Sequence, residues 1–238
     1  MLDPTLIIIV YLTVQLFANK LISTSHVGRF KWVSFSGGVA VSYVFVYVLP
    51  SLHEEQEKFK ASGLLAMESE LYLLGLFGLL VFYAVHNAAE KAYQKHAQGE
   101  GSFYWIQIIF FGMYNMFISY HVFGSDIEGI EAWFYGLAVG LHFMAISNDL
   151  WREDAKRYVE LGRYILAAGI LSGWLLGVFV SMPDYALGIV FAFISGAMIL
   201  NVLKKELPSE HNAHFRTFLL SSIGYTLITF ALKLFFEW

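Results

Sequence analysis

The sequence predicts an all-α membrane protein of eight transmembrane helices. Its composition is 58% hydrophobic and 14% charged, where soluble chains carry about 25% charged residues. Mean hydropathy is +0.59. The apolar residues fall into eight runs, each close to the roughly 20 residues that cross a bilayer, and the gaps hold the polar residues.

The eight segments are 5–22, 32–50, 71–93, 103–124, 133–150, 163–182, 185–203 and 217–236. The first has no basic region before it and no small-residue cleavage site, so it is expected to stay as a helix. The second ends at Leu49-Pro50 and opens with Trp32. The third carries His86, Asn87 and Glu90, and the fourth opens on Tyr104 and Trp105. The fifth starts at Trp133-Phe134 and holds a Gly136–Gly140 pair. The sixth spaces Gly169, Gly173 and Gly177 by four, and the seventh starts at Tyr185. Aromatic residues at segment ends suit a membrane interface, and glycines spaced by four permit close helix approach. The eighth closes the chain. One polytopic membrane domain over 1–238 uses the whole length.

Lysine and arginine set the orientation. Lys20, Arg29, Lys31, Lys91, Lys95, Arg152, Lys156, Arg157, Arg163, Lys204, Lys205 and Arg216 fall in loops after odd-numbered segments. Only Lys58, Lys60 and Lys233 lie on the other face. The bias places the odd loops in the cytoplasm and both termini outside, as a multi-pass protein of the cell (cytoplasmic) membrane. The outer face is acidic, with Glu54, Glu55, Glu57, Asp126 and Asp184 among its residues. Such a face gathers cations, although topology alone also strips outer loops of bases.

Two stretches 158 residues apart resemble one another. Gly38, Leu49, Pro50, Ser51 and His53 match Gly196, Leu207, Pro208, Ser209 and His211. Each copy reads as an apolar segment ending in a proline corner. The predicted topology makes them antiparallel, the pattern of an inverted repeat.

The chain has no cysteine, which excludes thiolate metal sites and cysteine nucleophiles. No segment pairs a nucleophile with a base or shows H-E-x-x-H, so an enzyme is not expected. Nothing points to a nucleic-acid partner. Ionisable groups within the spans are the functional candidates. Asn115 and His142 each lie nine residues from the outer end of neighbouring segments, roughly 13 Å deep. Asn115 shares a helix face with Ser119, and His142 with Asp149. Asn115 and His142 are therefore expected to meet near the midplane. A plain interhelical hydrogen bond, worth about 0.6 kcal/mol, explains them as well as a ligand pair does. His86, Glu90, Asp149 and Glu153 are candidates for an inner exit. His53 and Glu54 are candidates at the entrance, and His121 lies along the path. All of these also read as interfacial residues reaching water.

The chain resembles the ZIP (Zrt/Irt-like) metal transporters. Gly37-Gly38 through Leu49-Pro50 is similar to that family's helix 2. Phe193-Ile194-Ser195-Gly196-Ala197 through Leu207-Pro208 is similar to its helix 7, and Gly136 through His142 to the approach to its helix 5 motif. The resemblance implies helices 1–3 and 6–8 as an inverted repeat around helices 4–5. Of the family's helix 4 and 5 metal motifs, only Asn115 and His142 remain. Tyr114 and Ser119 stand at other helix 4 motif positions, Phe143 to Ser147 replace the rest of the helix 5 motif, and Tyr47 stands where helix 2 has histidine. The expected site is mononuclear: His142 and Asn115, with Ser119, Tyr114, Asp149 or water. Its nitrogen and oxygen donors suit zinc, iron or manganese, as substrate and not as resident cofactor. The expected function is divalent metal transport. The alternatives are a transport-inactive ZIP-like scaffold in a membrane complex or homodimer, and a carrier of another solute.

Overall fold

A backbone inside lipid can bond only to itself, so apolar runs of this length fold as helices. The structure is a computed structural model that describes residues 2–21, 26–61, 63, 69–95, 102–124, 129–207 and 214–236. Pro208, Ser209, Glu210 and His211 of the second repeat copy lie outside the described residues. Every regular element among the described residues is helical. They are α1 (Leu2–Leu21), α2 (His26–Tyr43), α3 (Leu49–Ala61), α4 (Glu70–Lys95), α5 (Ser102–Gly124), α6 (Gly129–Glu153), α7 (Ala155–Arg157), α8 (Arg163–Phe179), α9 (Asp184–Asn201) and α10 (Phe215–Phe236). Three π-helical turns, Val44–Val48, Tyr158–Gly162 and Val202–Glu206, continue or join them. Seven helices among the described residues are long and apolar enough to cross a membrane. The eighth long helix, α6, has 25 residues and measures about 37 Å. It is not among the seven, and it holds His142, Ser147, Asn148, Asp149, Arg152 and Glu153.

The proline corner expected at Pro50 is not a corner. The helix runs through it from His26 to Ala61. Proline has no N–H for the helical ladder, and the π turn just before it takes up the mismatch. Leu49 N–H bonds to the Val44 carbonyl, five residues back. At the second copy the helix does end. Leu207 is extended, with φ −65° and ψ 127°, the conformation a following proline favours. The two π turns, at 44–48 and 202–206, are themselves 158 residues apart. The sixth segment also differs: α8 stops at Phe179, and it is entered through α7, where Asp154 accepts a 2.9 Å hydrogen bond from Arg157 N.

The long helices pack in four parallel pairs. Along α1 and α6, Ile7 meets Gly136, Tyr11 meets Gly140 and Gln15 meets Ser147. Along α2 and α10, His214 N donates to Ser34, and Ser42 Oγ donates to the Ser222 carbonyl at 2.8 Å. Along α4 and α9, Gly78 meets Phe193 and Gly196 meets Gly75 and Leu79. Along α5 and α8, Gly112 meets Ile165, Gly173 meets Met116 and Gly177 meets Phe123. In contrast, α2–α3 and α9 run antiparallel: Gly37 lies on Glu206, while Phe59 lies on Gly188. Ile7 and Ile165, again 158 apart, each pack on a glycine of the neighbouring helix.

Two glycines define how close these pairs come. A Cβ on Gly196 would run into the Gly75 carbonyl, and one on Gly38 into Ser221 Oγ and the Phe218 carbonyl. A Cβ on Gly224 meets nothing within 4 Å. Gly196→Ala and Gly38→Ala are therefore expected to lose about 1–3 kcal/mol each through overpacking, with Gly224→Ala unchanged. Thermal unfolding in detergent checks this; equal melting of all three variants would refute the close approach.

Candidate functional site

His142 sits in the middle of α6, 13 residues from Gly129 and 11 from Glu153. That places it about 20 Å and 16 Å from the two helix ends. It is 1% exposed. Its Nε2 lies 3.0 Å from the Tyr114 hydroxyl of α5, and the two rings meet edge to face. Its Nδ1 is hydrogen-bonded to Oε1 of Glu206, which closes the π turn after α9. Glu206 is 3% exposed, and its Oε2 has no hydrogen-bond partner. This is a buried acid–base pair, which lipid-embedded proteins hold only where charge is matched or used.

The chemistry of the triad is set by its donors. With a proton on Nδ1, the imidazole donates to the Glu206 carboxylate and accepts from the Tyr114 hydroxyl. All three groups are then satisfied except Glu206 Oε2, and the cluster carries one negative charge. A buried unneutralised charge is costly. Oε2 of Glu206 is the one polar atom of the triad left without a hydrogen-bond partner.

The expected meeting of Asn115 with His142 does not occur. Tyr114, one residue earlier and about 100° round the helix, takes that place. Asn115 turns instead to α1 and α8. Its Nδ2 lies 3.4 Å from Gln15 Oε1 and 3.4 Å from the Leu166 carbonyl. Gln15 in turn donates to Ser147 Oγ at 2.7 Å and to Tyr158 at 3.3 Å. This second buried network joins α1, α5, α6 and α8. Ser119 is fully buried against Gly173, facing α8 and not the His142 ring. Of the predicted set, His142 belongs to the triad and Asn115 to the second network, while the Ser119 hydroxyl has no hydrogen-bond partner and Asp149 lies near Lys205. Among the described residues, no group of three His, Asp or Glu side chains converges on one point.

The inner-end candidates do gather. Glu90 and Lys204 are 3.8 Å apart. Asp149 and Glu153 lie within electrostatic reach of Lys205, and Asp149 also of Glu206. His86 faces Lys204, Lys205 and Glu90. With its amide oriented to donate, Gln107 lies 3.2 Å from Glu153. The charged groups thus descend from Glu206 through Asp149 to Glu153. The other candidates stand apart. His53 is exposed and bonded to Tyr72 at 2.7 Å, and Glu54 is exposed beside it. His121 stacks on Phe191 at 4.7 Å. Tyr47 stacks with Tyr43 at 5.4 Å and tilts against Tyr135 at 5.2 Å, so its ring packs between α2 and α6.

Sequence reading missed Glu206 and Gln15. Gln15 was visible as one of two amides, with Asn19, inside the first apolar run. Glu206 was assigned to a loop because the seventh segment ended at 203. The signal was the buried stripe Ile194, Met198, Val202 and Glu206, four-residue steps that carry the helix past its apolar limit. Comparison with known family profiles, curated proteins and solved structures gave no match.

The pair can be tested as a unit. His142→Ala or Glu206→Ala alone is expected to cost about 3–5 kcal/mol, because each leaves its partner buried and unpaired. The double variant should fall short of the sum by about 0.5–3 kcal/mol. Unfolding equilibria in mixed micelles measure this, and simple additivity would show that the two side chains do not interact.

Proposed function

We propose that the chain is a ZIP-like carrier of eight membrane crossings that moves a divalent metal ion of the zinc, iron or manganese class. His142 and Glu206 are its transient ligands, and Asp149, Glu153, His86 and Glu90 its inner exit. The observation that carries this reading is Glu206. A site of neutral donors alone holds a dication poorly in a low dielectric, and Glu206 brings the anion such a site needs. Histidine nitrogen and carboxylate oxygen together suit borderline divalent ions.

The packing supports eight crossings. Alternating crossings make two helices parallel only when their order differs by an even number. Counting α6 as a crossing gives parallel pairs one and five, two and eight, three and seven, and four and six, all of which satisfy this. Leaving α6 out would make α5 and α8 consecutive crossings, hence antiparallel, against the register of Gly112 on Ile165 and Gly177 on Phe123. The pairing also maps onto itself when helices one to three exchange with six to eight and four with five, as an inverted repeat requires.

Topology has a direct test, because the chain has no cysteine of its own. Lys58→Cys and Lys156→Cys replace exposed side chains, 69% and 82% accessible. An impermeant maleimide added to intact cells should label the first and spare the second. Labelling of both from outside would remove α6 as a crossing. Transport is tested by uptake of Zn²⁺, Fe²⁺ or Mn²⁺ into proteoliposomes. Glu206→Gln and His142→Ala are each expected to lower uptake at least about tenfold, the scale at which metal-site changes act. Unchanged uptake in both would refute the mechanism.

One observation favours the second reading, a transport-inactive scaffold in a membrane complex. Both His142 nitrogens and the Asn115 amide nitrogen already have partners inside the protein. Under that reading the variants lose stability but wild type shows no uptake, and the protein purifies with a stable partner and without metal.

A further inference from the structure

Lys205 stands among the charges proposed as the inner exit. It lies within the π turn Val202–Glu206, next to Glu206, and it is half-buried. Its neighbour Lys204 turns toward α4, 3.8 Å from Glu90 and 5.4 Å from the centroid of the Tyr83 ring. Lys205 turns toward α5 and α6. Its Nζ is 5.7 Å from the centroid of the Phe111 ring, and Asp149 and Glu153 both lie within its electrostatic reach. So does His86 of α4. Gln107, one turn from Phe111 on α5, borders the same corner, with its donating amide 3.2 Å from Glu153.

A fixed positive charge on a cation path repels what passes along it, so its place there needs a reason. Asp149 and Glu153 are one turn apart on α6 and share a face. Among the described residues, Lys205 is the one lysine or arginine that acts on both. Arg152 reaches Asp149, but it is exposed, and salt screens exposed charges. Among the described residues Lys205 makes no ion pair of 4.0 Å or shorter. It is a counter-ion kept near both acids by its own stem and locked to neither.

We propose that Lys205 is a tethered counter-ion that bars monovalent cations from the path and that a divalent ion displaces. This rests on the reading of the chain as a metal carrier. Held by its stem, the ammonium meets the acids as an intramolecular partner, without the entropy cost that a free ion bears. A free monovalent cation brings the same single charge and leaves Lys205 in place. A divalent ion attracts each carboxylate twice as strongly, and ions of the zinc, iron and manganese class also bond carboxylate oxygen directly. Such an ion displaces the ammonium, which moves aside on its flexible stem and returns once the ion has left.

Uptake of Zn²⁺ and of radioactive Rb⁺ into proteoliposomes, measured side by side, tests this. Wild type should take up Zn²⁺ and exclude Rb⁺. Lys205→Gln should keep Zn²⁺ uptake and admit Rb⁺ at least about tenfold faster than wild type, a modest return for one removed charge. Lys205→Arg keeps the charge, and Lys204→Gln changes the lysine that faces Glu90; both should exclude Rb⁺ as wild type does. Zn²⁺ uptake by Lys205→Gln with Rb⁺ entry no faster than in wild type would overturn the inference and leave the carrier reading standing. Loss of Zn²⁺ uptake in Lys205→Gln would also overturn it, because the lysine would then support the fold and not filter ions. Equal Rb⁺ entry in Lys205→Arg and Lys205→Gln would overturn it as well, since charge would not be the cause. No Zn²⁺ uptake by wild type would remove the carrier reading itself, and this inference with it.

Discussion

The hydrogen bond between His142 and Glu206 is the interaction on which the rest depends. A carboxylate 3% exposed inside an apolar bundle is tolerable only beside a proton donor or a cation. Its position requires three things of the backbone. The α9 helix must continue past its apolar stretch. A π turn must end on Glu206. And α2 must come close enough that Gly37, with no side chain, lies on the Glu206 carbonyl. Each of these is a local feature with no other evident purpose. Together they bring one anion to one imidazole.

The triad also lies at a seam. Tyr114 comes from the α5–α8 pair, His142 from α1–α6 and Glu206 from α4–α9. Each pair is tied by close backbone contact, as at Gly173 on Met116 and Gly196 on Gly75. The second network, Gln15–Asn115–Ser147–Tyr158, ties α1–α6 to α5–α8 again. It therefore joins those two pairs into one body, which α4–α9 meets through ring contacts, Phe82 on Tyr114 and Phe191 on His121, and through the Glu206 carboxylate at His142.

The class and most of the frame were legible in the sequence because they rest on composition and periodicity. Seven of the apolar runs became helices long and apolar enough to cross a membrane, and the helix of the second run passed its expected end at 50 to reach Ala61. The 158-residue spacing read from Gly38 and Gly196 recurs in the π turns and in Ile7 and Ile165. The site was legible only in part. His142 stood out as an ionisable group in an apolar run. Its partners did not, because which residue of α5 faces it is a matter of helix rotation: Tyr114 and Asn115 are adjacent in sequence and about 100° apart in space. Glu206 was hidden by the convention that a span ends where charge begins. Pro50 misled for a related reason. A proline usually ends or kinks a helix, but a π turn beside it absorbs the missing hydrogen bond and the helix goes on.

The two π turns fix what each helix presents beyond its apolar stretch. A π turn carries one residue more than the α-helical path, and its return to α geometry rotates the residues beyond it by about 100°. At Val44–Val48 the counterpart of Glu206 is Val48, so rotation there moves only apolar surface. At Val202–Glu206 the π turn sets the rotation at which the carboxylate meets His142. The frame is thus nearly symmetric while its chemistry is not. Glu206 meets His142 at the end of its π turn, while the equivalent turn at Val44–Val48 ends on an apolar side chain.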